Sequence, residues 1–237
     1  MHRVMLFAGI GLSLLASDGC SGGPSLPLAI AAARNAADTV RTLLFDDHDP
    51  DQRDAGGVTP LMWAARYGAV DAMQALLDAG ADPAARDMRN GWTSLLHAVH
   101  TRQLAAVQLL LERGADVNQR AAQTTPLIMA AADPDPAIVE LLLTHGADPH
   151  QRGAGGSTAL TVAVSGGALS DIDRPLFGGC HPATVKALLA RHPTLTLPDT
   201  IATREALWWA RFHGCAEVLS LVGESAPRPK GHVTPAS

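Results

Sequence analysis

Short apolar stripes, each about one helix long, recur along the chain between residues 26 and 222. In one clear example, Thr59 and Pro60 suit the cap and first residue of a short helix, and Gly68 suits its end. A second helix follows, and its apolar residues at three-to-four-residue spacing are Val70, Met73, Leu76 and Leu77. The pattern predicts two short helices that bury one face.

Copies of this two-helix pattern follow one another at intervals of about 33 residues. A threonine that precedes a small or proline residue and then leucine opens the units at Thr59, Thr93, Thr125 and Thr158. Gly-Ala-Asp follows a leucine-rich run at Gly80, Gly114 and Gly146. Because a two-helix unit leaves one face unburied, such units become stable only when copies stack on one another.

Turn, cap, apolar stripe and period together resemble the ankyrin repeat family. The resemblance implies an all-α solenoid of about six helix-turn-helix repeats with degenerate terminal caps. We place the repeats at residues 26–54, 58–86, 91–120, 125–152, 157–198 and 203–222. The fifth repeat contains an inserted loop at 166–182, and residues 223–237 lack periodicity and are predicted to be a disordered tail.

The first 20 residues have the pattern of a secretory signal peptide. A basic start precedes an apolar run from Val4 to Ala16, which is shorter than the roughly 20 residues that span a bilayer as a helix. We therefore expect an exported protein. Gly19-Cys20 also resembles a bacterial lipoprotein cleavage site, although Ser17-Asp18 departs from that motif. Lipidation of Cys20 in the cell envelope and a soluble periplasmic form both remain open.

The cysteines and the charge narrow the class of protein further. If Cys20 is lipidated or removed, Cys180 and Cys215 remain, and both fall between the helices of neighbouring repeats. A disulfide between them would tie the inserted loop to the C-terminal cap, whereas the alternative is two unpaired small apolar side chains. A net charge of -5 without a basic run argues against nucleic acid as a partner.

Candidate catalytic and metal-binding residues are sparse. His97 and His100 have i, i+3 spacing without a third ligand, and His97 aligns with Trp63 between the helical layers. Asp171 and Asp173 in the inserted loop lack the rest of a calcium-loop pattern. We also find no nucleophile motif. The sequence therefore predicts a protein that is not an enzyme and needs neither metal nor cofactor.

In the family that the chain resembles, partners bind a concave face built from turn tips and the exposed ends of first helices. The positions that align with this face are Arg66, Tyr67, Met88, Arg89, Trp92, His100, Thr101 and Asp133. Tryptophan, tyrosine, methionine and arginine are enriched in protein interfaces, which centres the predicted contact on the second and third repeats. A further binding element is an arginine ladder, formed by Arg53, Arg86, Arg120 and Arg152. The alternative is that the ladder only braces the turns.

The sequence thus predicts a monomeric, non-catalytic protein-protein interaction module of the bacterial cell envelope. An immunity protein that inhibits a toxin enzyme by binding it is the alternative. A third hypothesis, an enzyme that uses the inserted loop, would depend on Asp171, Asp173 or His181.

Overall fold

The computed structural model describes residues 23–121, 123–167 and 179–224, and in this part of the chain the helices come in consecutive pairs. The pairs are α1 (Pro27–Ala33) with α2 (Ala37–Phe45), α3 (Pro60–Tyr67) with α4 (Val70–Asp78), α5 (Ser94–His100) with α6 (Leu104–Glu112), α7 (Pro126–Ala130) with α8 (Ala137–Thr144), α9 (Ala159–Val164) with α10 (Pro182–Arg191), and α11 (Ile201–Phe212) with α12 (Ala216–Leu221). The predicted signal peptide, Cys20, Asp171 and Asp173, and the tail from residue 225 lie outside the described residues.

The helix pairs stack in sequence order. First helices pack against first helices and second helices against second helices, while the two helices of each pair also pack together. One apolar core runs through the stack, and its largest fully buried side chains are Leu28, Leu61, Met73, Leu76, Leu95, Leu110, Leu127, Leu142, Leu160 and Leu188. The predicted all-α repeat solenoid is confirmed. None of the helices in the described part has the length and apolarity that crossing a bilayer requires.

Threonine caps begin most of the first helices. Thr59 Oγ1 accepts a hydrogen bond from the backbone N–H of Met62 at 3.3 Å, and Thr125 and Thr158 make the equivalent bond. Thr93 is an exception, because its buried hydroxyl makes no capping bond. Thr200 caps α11, which therefore begins at Ile201, ahead of the predicted repeat start at residue 203.

Left-handed residues end the first helices of the first three pairs. Gly68 has φ of 67°, and Asn35 and Arg102 occupy the same position with φ of 55° and 60°. A left-handed backbone costs a non-glycine residue about 1 kcal/mol. Asn35 offsets this cost because its Oδ1 accepts from the backbone N–H of Ala72 at 3.0 Å and its Nδ2 donates to Asp71 at 3.1 Å. The end of α1 is thereby joined to the next pair.

A disulfide joins Cys180 to Cys215, with an S–S distance of 1.99 Å and a Cα–Cα distance of 5.4 Å. Cys180 lies just before α10, and Cys215 is the buried residue that precedes α12. The predicted link between the end of the inserted loop and the C-terminal pair is therefore confirmed. Residues 168–178 of that loop lie outside the described residues.

Truncating a buried leucine should destabilise the stack as a whole. Leu110 is fully buried on α6, whereas Leu104 on the same helix is 44% exposed. We expect Leu110→Ala to lower the free energy of unfolding by about 2–5 kcal/mol, because it removes apolar contacts and leaves a cavity. Urea unfolding followed by circular dichroism measures this. A loss in Leu104→Ala as large as that in Leu110→Ala would contradict this account of the core.

Candidate partner-binding surface

The turn before α3 holds an aromatic side chain in place through one carboxylate. Asp54 Oδ1 accepts from the backbone N–H groups of Gly56 and Val58, both at 2.9 Å. The other oxygen, Oδ2, accepts from the indole N–H of Trp63 at 3.0 Å. Asp54 therefore fixes both the shape of the turn and its position over α3.

The next pair repeats this arrangement with different residues. Asp87 Oδ1 accepts from the backbone N–H groups of residues 89–91 at 2.8–3.1 Å, and Oδ2 lies 3.0 Å from His97 Nε2. Burial alone would raise the pKa of Asp87, but hydrogen bonds from His97 and the backbone outweigh it and hold that pKa below its usual range. His97 thus takes the place of Trp63, as the alignment predicts.

Trp92 is the centre of an aromatic cluster beside this turn. Its ring centroid lies 5.5 Å from that of His97 and 5.0 Å from that of His100. In the preceding pair, Tyr67 stacks on Trp63 with centroids 6.1 Å apart. Trp92 is half-buried, so its ring combines firm packing with exposed surface, as interface anchors do.

Two cavities adjoin Trp92. One of about 290 Å³ lies between the turns and the ends of α3 and α5, where its walls include Trp63, Arg66, Arg89, Trp92 and His100. The other, of about 260 Å³, extends towards α7 and α8 and is lined by residues that include Trp92, His100, Arg102, Met129, Asp133 and Ile138. The tertiary structure thus brings Arg66, Arg89, Trp92, His100 and Asp133 of the predicted surface to two adjoining cavities.

The remaining predicted partner residues lie around these cavities. Met88 is 79% exposed at the turn tip, and its backbone N–H donates to Gly56 O at 3.0 Å. Tyr67 is 41% exposed. Thr101 follows α5, and its hydroxyl donates to His97 O at 2.9 Å, so this side chain also stabilises the helix end.

The arginine ladder connects successive loops. The guanidinium of Arg53 donates to Arg86 O at 2.7 Å, that of Arg86 to Arg120 O at 2.8 Å, and that of Arg120 to Arg152 O at 2.7 Å. Arg53 and Arg86 also donate to carbonyls within their own turns, Gly57 O and Gly91 O. These bonds favour the bracing interpretation of the ladder, and a binding role for it stays a prediction.

Asp133 belongs to a charged network next to the second cavity. Its carboxylate forms an ion pair with Arg102, and its backbone oxygen accepts from Thr184 Oγ1 at 2.7 Å. His181 is buried nearby, and desolvation lowers its pKa, with Arg102 adding to this effect and Asp133 opposing it. The network joins α10, beyond the inserted loop, to the third and fourth pairs.

Arg102 and Trp63 border the cavities without having been predicted as partner-binding residues. The sequence does contain a signal for Arg102, because an arginine stands there at the position of Gly68, where glycine is favoured. The separation of Arg102 and Asp133 along the sequence does not predict their ion pair. Across the described residues, no group of three histidine, cysteine or acidic side chains is arranged to hold a metal ion.

Comparison with protein families assigns the fold. A family model described as ankyrin repeats (3 copies) matches residues 28–121, and one described as ankyrin repeat matches residues 123–154. Together they cover more than half of the chain, which therefore belongs to the ankyrin repeat family. No curated protein matches it. Ankyrin repeats generally mediate protein-protein interaction and are typically non-catalytic, and the family matches include no enzyme family.

The buried imidazole of His181 should make stability depend on pH. Its folded pKa is lowered from 6.5, so the unfolded chain binds more protons once the pH falls below that value. The contribution is fully present above pH 6.5, and it is lost as pH falls through the folded pKa. Urea midpoints measured from pH 5 to 8 should therefore rise with pH, and less steeply in His181→Gln. His150→Gln is the control, because His150 is exposed. If the urea midpoint of His181→Gln rose with pH as steeply as that of the wild type, His181 would not be the source of the pH dependence.

Proposed function

We propose that this ankyrin repeat protein binds a partner protein in the bacterial cell envelope through the surface around Trp92. The observation that carries the proposal is the position of Trp92 and His100, which pack together and line both cavities. A ring that is already packed loses little freedom when a partner binds, and it offers a large contact area.

The side chains around these rings suit a protein partner. Exposed Met88 and Tyr67 supply apolar contact area, while Arg66 and Arg89 line the same cavity as Trp92. Central aromatic and arginine residues with a polar surround are the usual composition of energetically dominant contacts. In this proposal the partner inserts side chains into the two cavities and covers the turn tips.

The envelope location rests on two features. The apolar run before Cys20 has the pattern of an export signal. The Cys180–Cys215 disulfide is typical of a protein from an oxidising compartment such as the periplasm. We infer a monomer that acts by binding, held at the membrane if Cys20 is lipidated.

Removing the anchors should weaken the complex strongly. We expect Arg66→Ala, Tyr67→Ala and Trp92→Ala, combined in the mature chain, to lose partners that the wild type captures from an envelope fraction. For a recovered partner, Trp92→Ala alone should raise Kd by about 30-fold, because a central anchor contributes roughly 2 kcal/mol or more. Isothermal titration calorimetry with purified proteins measures this.

Phe45→Ala supplies the matched control, because Phe45 is 89% exposed on α2 and lines neither cavity. It should bind as the wild type does, and circular dichroism establishes that each bait is folded. Equal recovery of every partner by the wild type and the triple variant would show that the surface is wrongly placed. A recovered enzyme whose activity is lost on binding would identify the immunity alternative.

A further inference from the structure

The last long helix of the array has apolar residues on two opposite faces. Its buried face consists of Ala202, Thr203, Ala206 and Ala210, of which Ala206 and Ala210 belong to the apolar core. On the other face lie Ile201, Trp208 and Phe212, which we call the cap stripe, and they are 71%, 55% and 68% exposed. Spacings of seven and four residues place these side chains on one side of α11.

An apolar stripe is unexpected at this position. Terminal repeats need a polar outer face for solubility, because no further repeat covers them. Here the rings of Trp208 and Phe212 stack with centroids 5.2 Å apart, and Trp209 lies 5.3 Å from Trp208. Two of the chain's four tryptophans are thus placed together at the end of the array. Exposed apolar patches with polar rims mark interaction sites.

The chain leaves α12 beside α11. Glu224 Oε2 lies 2.6 Å from Arg211 Nη2, and Arg211 is the neighbour of Phe212 on α11. Glu224, the last residue that the structure describes, therefore contacts the helix that carries the cap stripe.

The sequence of residues 225–237 suits an aromatic surface. It contains Pro227, Pro229 and Pro235, and extended proline-rich segments bind surfaces lined by aromatic rings. Arg228 and Lys230 can lie over an indole, which attracts cations.

Charge and length agree with this fit. The segment has no acidic residue, whereas the whole chain has a net charge of -5, and Glu205 is exposed on the stripe side of α11. The exposed arginines of this helix, Arg204 and Arg211, form ion pairs with Asp199 and Glu224. An extended segment of this size reaches roughly 40 Å, more than twice the length of α11.

We propose that the cap stripe is a binding surface for a proline-rich, cationic segment, and that residues 225–237 of the same chain occupy it. The stripe is thereby covered without a further repeat. This proposal is independent of the partner surface around Trp92.

Cleavage by a lysine-specific endoprotease tests the proposal, because the chain has only two lysines, Lys186 and Lys230. Lys186 lies within α10 and contacts Glu217 at 2.5 Å, so cleavage there reports unfolding. Cleavage after Lys230 reports release of the segment. We expect Trp208→Ala with Phe212→Ala in the full chain to speed cleavage after Lys230 by about tenfold, since the ring contacts are lost.

Phe45→Ala is the matched control, because it removes an exposed ring from α2 far along the array, and it should leave both rates unchanged. Equal cleavage after Lys230 in wild type and stripe variant would overturn the proposal. Cleavage after Lys230 that becomes slower as the protein concentration rises would also overturn the proposal, because a second copy of the chain would then cover the stripe.

If the stripe variant is also cut faster after Lys186, it has lost its fold, and Arg228→Ser in the full chain then replaces it as the test. Arg228→Ser changes no residue of the described array, and we expect it to be cut several-fold faster after Lys230. An unchanged rate would overturn the proposal.

Discussion

The stacking of each helix pair on its neighbours is the interaction on which the rest of this protein depends. Helices of five to twelve residues are too short to be stable alone in water. Side chains such as Leu61 and Leu95 become fully buried only because the adjacent pair covers them. Each pair is therefore stable only when a neighbouring pair packs against it. The same packing sets the positions of the turns that connect the pairs.

Polar contacts fix the turns and loops in place on this apolar packing. The ring N–H of Trp63 and the imidazole of His97 each meet an aspartate from the turn before their own helix. The arginine ladder links each loop to the next through backbone carbonyls. Because the aspartate contacts and the arginine contacts both recur in neighbouring pairs, they fix the positions of the turn tips and of Trp92 relative to the first helices.

Among the described residues, the pairs at the two ends of the array, α1 with α2 and α11 with α12, each pack against one neighbouring pair. At the C-terminal end the Cys180–Cys215 disulfide supplements packing by joining the start of α10 to that of α12. It restricts the unfolded chain in a region where an insertion lengthens the loop. The cap stripe on α11 lies at the same end of the described array, on the face of this helix opposite its buried residues.

The sequence by itself determined the repeat, because period, threonine caps such as Thr59 and apolar spacing are local properties that every unit must share to stack. It also predicted the pairing of Cys180 with Cys215, since aligned repeats place both in neighbouring inter-helix regions, but the disulfide geometry that excludes two unpaired cysteines comes from the structure. Only the tertiary structure decided the missing cap at Thr93, the Arg102 contact with Asp133 and the cavities beside Trp92. The missing cap at Thr93 has no explanation in the structure. The Arg102 contact and the cavities depend on side chains from different pairs, whose distances are set by how closely the pairs pack and not by their spacing along the chain.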